Sequence, residues 1–436
     1  RWPDIARVPR GLRSRFASRI AQTLTRQAVA RLAMRMVLPG GEVCGGAARD
    51  TAPTIVVHDP EHFFARLADS GLVGFGEAYM AGDWSSPDLA AVLTVMASQM
   101  GSLVPMPLQK LRAMYVVRHP DTERNTSDNS RSNISRHYDL SNELFELFLD
   151  ESLTYSSALF PGVSAEQAGA VPLGAKVEVS RPGAPSRWED LAAAQRLKID
   201  RMLDAARVGQ GTRVLEIGSG WGELAIRAAS RGATVRTITL SVEQQGKARS
   251  RIARAGFSDR VSVDLVDYRH VEGSYDAVVS CEMVEAVGHE YWPDYFRAID
   301  ARLAPGGRAV VQAITMPHDR MLATRRTYTW MHKYIFPGGF LPSTEAIVAV
   351  TRRHTSLRVV ERLRMGAHYA QTLRLWHERF EAGWPQIAEL TSGPLAGFDF
   401  DETFRRMWLF YLDYSRAGFS SGYLDVQQIV LERPNR

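Results

Sequence analysis

Thr212-Arg-Val-Leu-Glu-Ile-Gly-Ser-Gly-Trp-Gly222 reads as a strand that runs into a glycine loop and opens a helix. Glycines there let the backbone approach a ligand closely, and the helix N-terminus offers unpaired N–H groups. Many nucleotide-binding folds carry such a loop, so its surroundings decide its meaning. Four further strands follow in βα rhythm, Thr234–Thr239, Val261–Val266, Ala277–Ser280 and Arg308–Ile314. That rhythm predicts a doubly wound, mostly parallel α/β sheet with its ligand at the carboxyl ends of the strands.

Outside this core the composition divides the chain. Its 436 residues are 45% hydrophobic and 23% charged, too apolar for disorder and too charged for a membrane bundle. Residues 1–36 hold nine Arg against one Asp, a local charge of +8 that leaves about −3 for the rest of a chain of net charge +5. Leu12, Phe16, Ile20 and Leu24 recur there at i+4 spacing, so this segment predicts a basic amphipathic helix. Arg recurs too often in it to leave the apolar run of a secretory leader. Residues 37–118 read as a small α+β domain with a β-rich run at Pro53–His58, and residues 119–133 as a polar linker. Residues 134–436 then form the α/β domain, interrupted by a Gly/Pro/Ala-rich insertion at 161–186. Leu89–Gln109 is uncharged, but Pro105, Pro107 and Gly101 dilute it, and it reads as a buried helix and turn. The two cysteines, Cys44 and Cys281, make neither a disulfide framework nor a Cys-rich zinc site, and no metal is expected.

The spacing Glu216-x-Gly218-x-Gly220 looks like the first motif of S-adenosylmethionine methyltransferases. From Gly71 onward the chain resembles the cyclopropane fatty acid synthase family of unsaturated-phospholipid methyltransferases. The resemblance rests on Gly74-Phe-Gly-Glu-Ala-Tyr-Met-Ala-Gly82, His137-Tyr-Asp-Leu-Ser-Asn142, Ala194-Gln195 with Lys198, Tyr334-Ile-Phe-Pro-Gly338 and Gly366-Ala367 with Tyr369. It implies a seven-stranded methyltransferase sheet. It also implies an S-adenosylmethionine site in which Tyr155 and Ser156 lie against the methionine end. Glu216, Gly218, Gly220 and Trp221 would admit the methionine and ribose portions. Thr239, Leu240, Ser241 and Gln244 follow the second strand, where the Gln244 amide reaches the ribose hydroxyls. Asp267, Tyr268 and Arg269 would border the adenine.

Methylating an isolated alkene needs a strong electrophile held in line, and it leaves a carbocation that a dry aromatic pocket must enclose. Tyr138, Phe145, Phe148, Tyr369 and Trp376 are the aromatics expected around it. The cation must then lose a proton. Ring-closing relatives hold a bicarbonate ion as base, gripped by Cys, Glu, His and Tyr. Here Glu285 and Tyr369 match, whereas Ser157 stands for the cysteine and Gln312 for the histidine, which puts bicarbonate in doubt. The resemblance therefore leans to a methylene-branched product, formed after a 1,2-hydride shift and finished by a separate reductase, with ring closure as the alternative. Glu146, nine residues past His137, is a candidate base for that route, and Glu285 is the other site carboxylate.

The expected substrate is a membrane phospholipid carrying an oleoyl-like chain. Residues 1–36 would attract an anionic membrane surface, with Phe16, Ile20 and Leu24 entering the interface. The protein is thus expected to be cytoplasmic and peripherally bound at the inner face of the membrane. Nucleic acid is not an expected partner, because the remainder of the chain is slightly acidic; homo-oligomerisation stays open. A small-molecule or nucleic-acid methyltransferase on the same fold, and a non-catalytic lipid- or cofactor-binding subunit, are the rival readings.

Overall fold

The computed structural model describes residues 2–45, 51–99, 142–166, 175–390 and 400–435. The polar linker, His137 and Tyr138 lie outside these residues. The chain divides into two compact units: residues 1–119, 326–335 and 380–423 in one, and residues 120–325, 336–379 and 424–436 in the other.

The first unit contains a four-stranded sheet in the order β2-β1-β3-β4, made of β1 (Arg35–Val37), β2 (Val43–Cys44), β3 (Thr54–Val57) and β4 (Trp84–Ser85). Helices Pro60–Ser70, Leu72–Ala81, Leu89–Ser98 and Glu402–Ser420 belong to the same unit. The Asp88 carboxylate caps Leu89–Ser98 by accepting the Ala91 N–H at 2.9 Å, so the uncharged run does begin as a helix. The partition corrects the boundary expected from sequence, which placed all of 134–436 in the α/β domain. The physical reason is aromatic packing: Phe410 meets Tyr79 at 5.5 Å and Trp330 at 4.7 Å between ring centres. In the same cluster a Cβ at Gly76 would stand 2.5 Å from the Trp330 ring, so only glycine allows that approach. The Arg66 guanidinium, buried, donates to Asp83 at 3.0 Å and to the Ile5 carbonyl at 2.6 Å, tying the N-terminal turn to this core. The expected basic helix is present as Leu12–Arg31. Leu12 and Phe16 on it are 84% and 69% exposed, and Ile20 is also exposed.

The second unit is built on a nine-stranded sheet in the order β5-β6-β12-β13-β11-β10-β7-β8-β9. Its strands are β5 (Gly162–Glu166), β6 (Lys176–Pro182), β7 (Arg213–Ile217), β8 (Thr234–Thr239), β9 (Val261–Leu265), β10 (Tyr275–Cys281), β11 (Leu303–Thr315), β12 (Arg358–Arg364) and β13 (Asp425–Glu432). The pairs from β9 through β11 are all parallel, and β13 is antiparallel to both β11 and β12. The seven strands from β12 to β9 match the expected sheet. The other two correct the reading of 161–186 as a plain insertion, since β5 and β6 pair antiparallel and β6 extends the sheet alongside β12. Val179 and Val177 supply the strand propensity that the Gly/Pro content concealed.

Strand β7 shows why the fold forms. Val214, Leu215, Glu216 and Ile217 are all buried, a continuous run that only a sheet covered on both faces can accommodate. On one face Tyr295, Phe296 and Ile299 of helix Trp292–Arg302 pack under β10 and β11. On the other, Met202 and Leu203 of helix Trp188–Ala205 join Leu224 of Glu223–Ser230 and Ile252 of Val242–Arg254. Each such side chain contributes about 1.5–3 kcal/mol on burial. The order reverses at β7, with β8 on one side and β10 on the other, so the carboxyl ends of β7 and β10 flank a crevice.

Candidate active site

The loop after β7 turns through three left-handed glycines, Gly218, Gly220 and Gly222, with φ of 97°, 47° and 90°. A Cβ on Gly218 would lie 2.5 Å from Met283, while one on Gly220 would meet nothing within 4 Å, because it faces open space. That space is a cleft of about 970 Å³, its mouth included, lined by residues from the ends of β7, β8 and β10. Tyr155, Ser156, Glu216, Gly218, Gly220, Trp221, Thr239, Leu240, Gln244 and Tyr268 all line it, ten of the thirteen residues expected to hold the cofactor. Ser241, Asp267 and Arg269 do not line it. Ser241 instead caps helix Val242–Arg254 by accepting the Gln244 N–H at 3.1 Å. Asp267 and Arg269 pair with each other at 2.6 Å in the turn that follows β9.

Each lining group is held from behind. The Thr239 hydroxyl donates to Gln244 Oε1 at 2.9 Å, which leaves the amide NH2 of Gln244 to donate elsewhere. Trp221 Nε1 donates to Asn142 Oδ1 at 2.7 Å. Lys198, fully buried, donates from Nζ to Ser156 Oγ at 2.6 Å and contacts Cys281 Sγ at 3.4 Å. Glu216 is buried, and its Oε2 has no hydrogen-bond partner among the described residues. Burial pushes its carboxyl up to about 8.

A second cluster adjoins the cleft at the end of β10. Glu282, a cleft-lining residue, accepts the backbone N–H of Ser157 at 3.0 Å and the Gln312 side-chain amide at 2.8 Å on Oε1, and the Tyr369 hydroxyl at 2.7 Å on Oε2. The Gln312 amide is oriented in turn, since its Oε1 accepts from Gln428 Nε2 at 3.1 Å. The structure thus brings Ser157, Gln312 and Tyr369 together, as the sequence reading grouped them, but around Glu282 rather than Glu285. The Glu285 carboxyl accepts the Ile314 N–H through Oε1, and its Oε2 is without a partner among the described residues. Burial, and then the nearby Glu282 charge, push Glu285 up to about 8. Burial also raises Glu282, against the lowering by its three donors and by the Lys198 charge nearby.

Glu146 is not a buried base. Its side chain is 41% exposed and forms an ion pair with Lys247, beside a separate open groove. The helix Asn142–Phe148 turns Leu144, Phe145 and Phe148 inward, and position 146 falls on the opposite face.

Four of the five expected aromatics form one contiguous wall. Phe145 meets Phe148 at 5.7 Å and Tyr155 at 5.2 Å, Tyr155 meets Trp376 at 5.2 Å, and Trp376 meets Tyr369 at 6.1 Å. Because Tyr155 lines the cleft and Tyr369 holds Glu282, this wall joins the glycine-loop cleft to the carboxylate cluster. The sequence reading missed Glu282 and gave Lys198 no role. The available signal for Glu282 was positional: it directly follows β10, at the carboxyl end of a central strand where ligands bind.

The mycolic acid cyclopropane synthetase family profile matches residues 125–429. The chain is 51% identical over 433 residues to the tuberculostearic acid methyltransferase UfaA1 of Mycobacterium tuberculosis, covering 99% of this chain and 95% of that protein. It is 30% identical over 397 residues to the cyclopropane-fatty-acyl-phospholipid synthase of Escherichia coli, covering 89% of this chain and 90% of that one. Among solved structures it is similar to the mycolic acid cyclopropane synthase CmaA1 complexed with SAH and CTAB. That similarity has a TM-score of 0.56 and 26% identity, covering 72% of this chain and 99% of that one.

Proposed function

This chain belongs to the mycolic acid cyclopropane synthetase family, and from that premise we propose that it methylates the cis double bond of a phospholipid acyl chain, giving a methylene-branched product. The cleft fits S-adenosylmethionine: Glu216 offers a cationic ligand a buried carboxyl oxygen that has no partner among the described residues, Gly220 leaves open room, and the Gln244 amide can donate to ribose oxygens. Bound there, S-adenosylmethionine supplies an electrophilic sulfonium methyl. The chain's own residues orient it, exclude water and enclose the cation that forms on the acyl chain.

The observation that carries this reading is the aromatic wall of Phe145, Phe148, Tyr155, Trp376 and Tyr369 beside the cleft. Ring faces stabilise positive charge, and an apolar enclosure keeps water from capturing it. The 51% identity to a tuberculostearic acid methyltransferase, and the Ser157 and Gln312 that stand where ring-closing relatives carry Cys and His, favour the methylene over the ring. A separate reductase would saturate the methylene to a methyl branch. The exposed Leu12, Phe16 and Ile20, interleaved with exposed Arg13, Arg15 and Arg19, suit an anionic membrane surface as the source of the substrate. No helix among the described residues is long and apolar enough to cross a membrane.

Purified protein, S-adenosylmethionine and vesicles of dioleoyl phosphatidylglycerol test the proposal. The expected product takes up hydrogen under mild conditions and becomes a methyl-branched chain. A product that gains one carbon but resists hydrogenation is the cyclopropane and overturns the methylene assignment.

A further inference from the structure

Glu282 stands out among the buried carboxylates of the second unit by what surrounds it. Its backbone is left-handed, φ 52°, a strained conformation for a non-glycine residue that persists where the surroundings over-determine it. This strained turn places a carboxylate on the wall of the cleft. All three of its donors among the described residues are neutral, the Ser157 N–H, the Gln312 amide and the Tyr369 hydroxyl. The nearby Lys198 ammonium donates to Ser156 and Cys281 rather than to Glu282, and lowers the Glu282 carboxyl only through space. A cationic partner would suppress the basicity of a carboxylate; neutral donors fix its position and leave it able to accept a proton. A carboxylate has about four acceptor sites, and three of them are taken here, which leaves one.

The residues expected to grip a loose anion therefore already grip a carboxylate that belongs to the chain. We propose that Glu282 is the catalytic base, taking the proton from the transferred methyl carbon, so that no external bicarbonate is required. This rests on the acyl-chain methylation proposed above. In the step, a 1,2-hydride shift first moves the positive charge onto the methyl-bearing carbon; a C–H bond of the transferred methyl then breaks and its electron pair becomes the π bond to that carbon. The proton moves to a Glu282 oxygen and leaves to water when the product departs. Glu285, neutral and bound to the Ile314 amide, is a buried neighbour and not the acceptor.

The test measures transfer of labelled methyl to dioleoyl phosphatidylglycerol vesicles in carbonate-free buffer. Wild type should run at the same rate with or without added bicarbonate. Glu282→Gln should lose at least about a hundredfold in turnover, as removal of a general base does, while its affinity for S-adenosylhomocysteine stays within about twofold. Glu282→Gly, which suits the left-handed backbone, should regain at least about tenfold of its lost rate when formate or propionate is added. A base-free structural role would give no such rescue. Full turnover by Glu282→Gln, dependence of wild type on bicarbonate, or a folded Glu282→Gly that no carboxylate rescues would each overturn the assignment. If wild type transfers no label to the acyl chain at all, the methylation reading fails instead, which separates the two outcomes.

Discussion

Glu216→Gln should flatten the pH dependence of cofactor binding. Glu216 is buried at the end of β7 with an oxygen that has no partner among the described residues, and its carboxyl is pushed up to about 8. At pH 7 that carboxyl is about nine-tenths protonated, and ionising it to face a cation costs about 1.4 kcal/mol, one pKa unit. Affinity for S-adenosylhomocysteine should therefore rise about tenfold per pH unit below 8 and level off above it, with about one proton released per ligand bound at pH 7. Titration calorimetry from pH 6 to 9, in buffers of different ionisation enthalpy, measures both the slope and the proton count. The ligand's own amino group titrates in the same range, but it contributes equally to the variant, so the difference between the two proteins isolates Glu216. The apoprotein carries the matching signature. The folded state retains a proton at Glu216 that the unfolded chain loses near pH 4.5, so stability falls as pH rises from about 4.5 to 8, and Glu216→Gln should remove its share of that fall while the share of Glu285 stays. Equal proton release by wild type and variant, with parallel affinity curves, would refute the argument.

Three further outcomes are expected. Gln312→Met removes one of the three donors to Glu282 and leaves Gln428 Nε2 with the Lys198 carbonyl as its acceptor; a hydrogen bond to a charged group is worth about 1.5–3 kcal/mol. Turnover should fall about 10- to 100-fold with S-adenosylhomocysteine affinity unchanged, and unchanged turnover would count against Glu282 as a positioned group. Trp376→Leu opens the wall between Tyr155 and Tyr369; it should slow turnover about fivefold to thirtyfold and yield hydroxylated acyl chains by water capture, which mass spectrometry detects as an added oxygen. Phe16→Asp with Ile20→Asp, on exposed positions, should leave the melting temperature unchanged and weaken sedimentation with anionic vesicles; undiminished sedimentation would exclude this helix as the membrane contact.

The parts of the molecule that sequence revealed are those where local pattern and tertiary role coincide. The continuous apolar run of β7 and its left-handed glycines have one physical use, and they lie where the pattern put them. Most of the cleft lining follows directly, because residues at the carboxyl ends of successive parallel strands meet whatever the details of packing. What stayed hidden depends on partners far away in the chain. Helix Glu402–Ser420 is amphipathic, but nothing local says that Phe410 finds Tyr79 and Trp330. The strand pair β5–β6 hides behind the glycines and prolines of its segment until β12 offers an edge. Glu285 and Glu282 sit three residues apart, and only the left-handed turn at Glu282 decides which carboxylate meets Ser157, Gln312 and Tyr369. Glu146 failed for the opposite reason, a charged residue on the outer face of a short helix with Lys247 beside it.

Deuterium retention tests most directly whether a carbocation forms on the lipid tail and loses a proton from the new carbon. With S-adenosylmethionine carrying a trideuterated methyl and dioleoyl phosphatidylglycerol as acceptor, the acyl product should keep two of the three deuterium atoms, both on one carbon. Retention of all three, or label found on the headgroup rather than the acyl chain, would contradict the account.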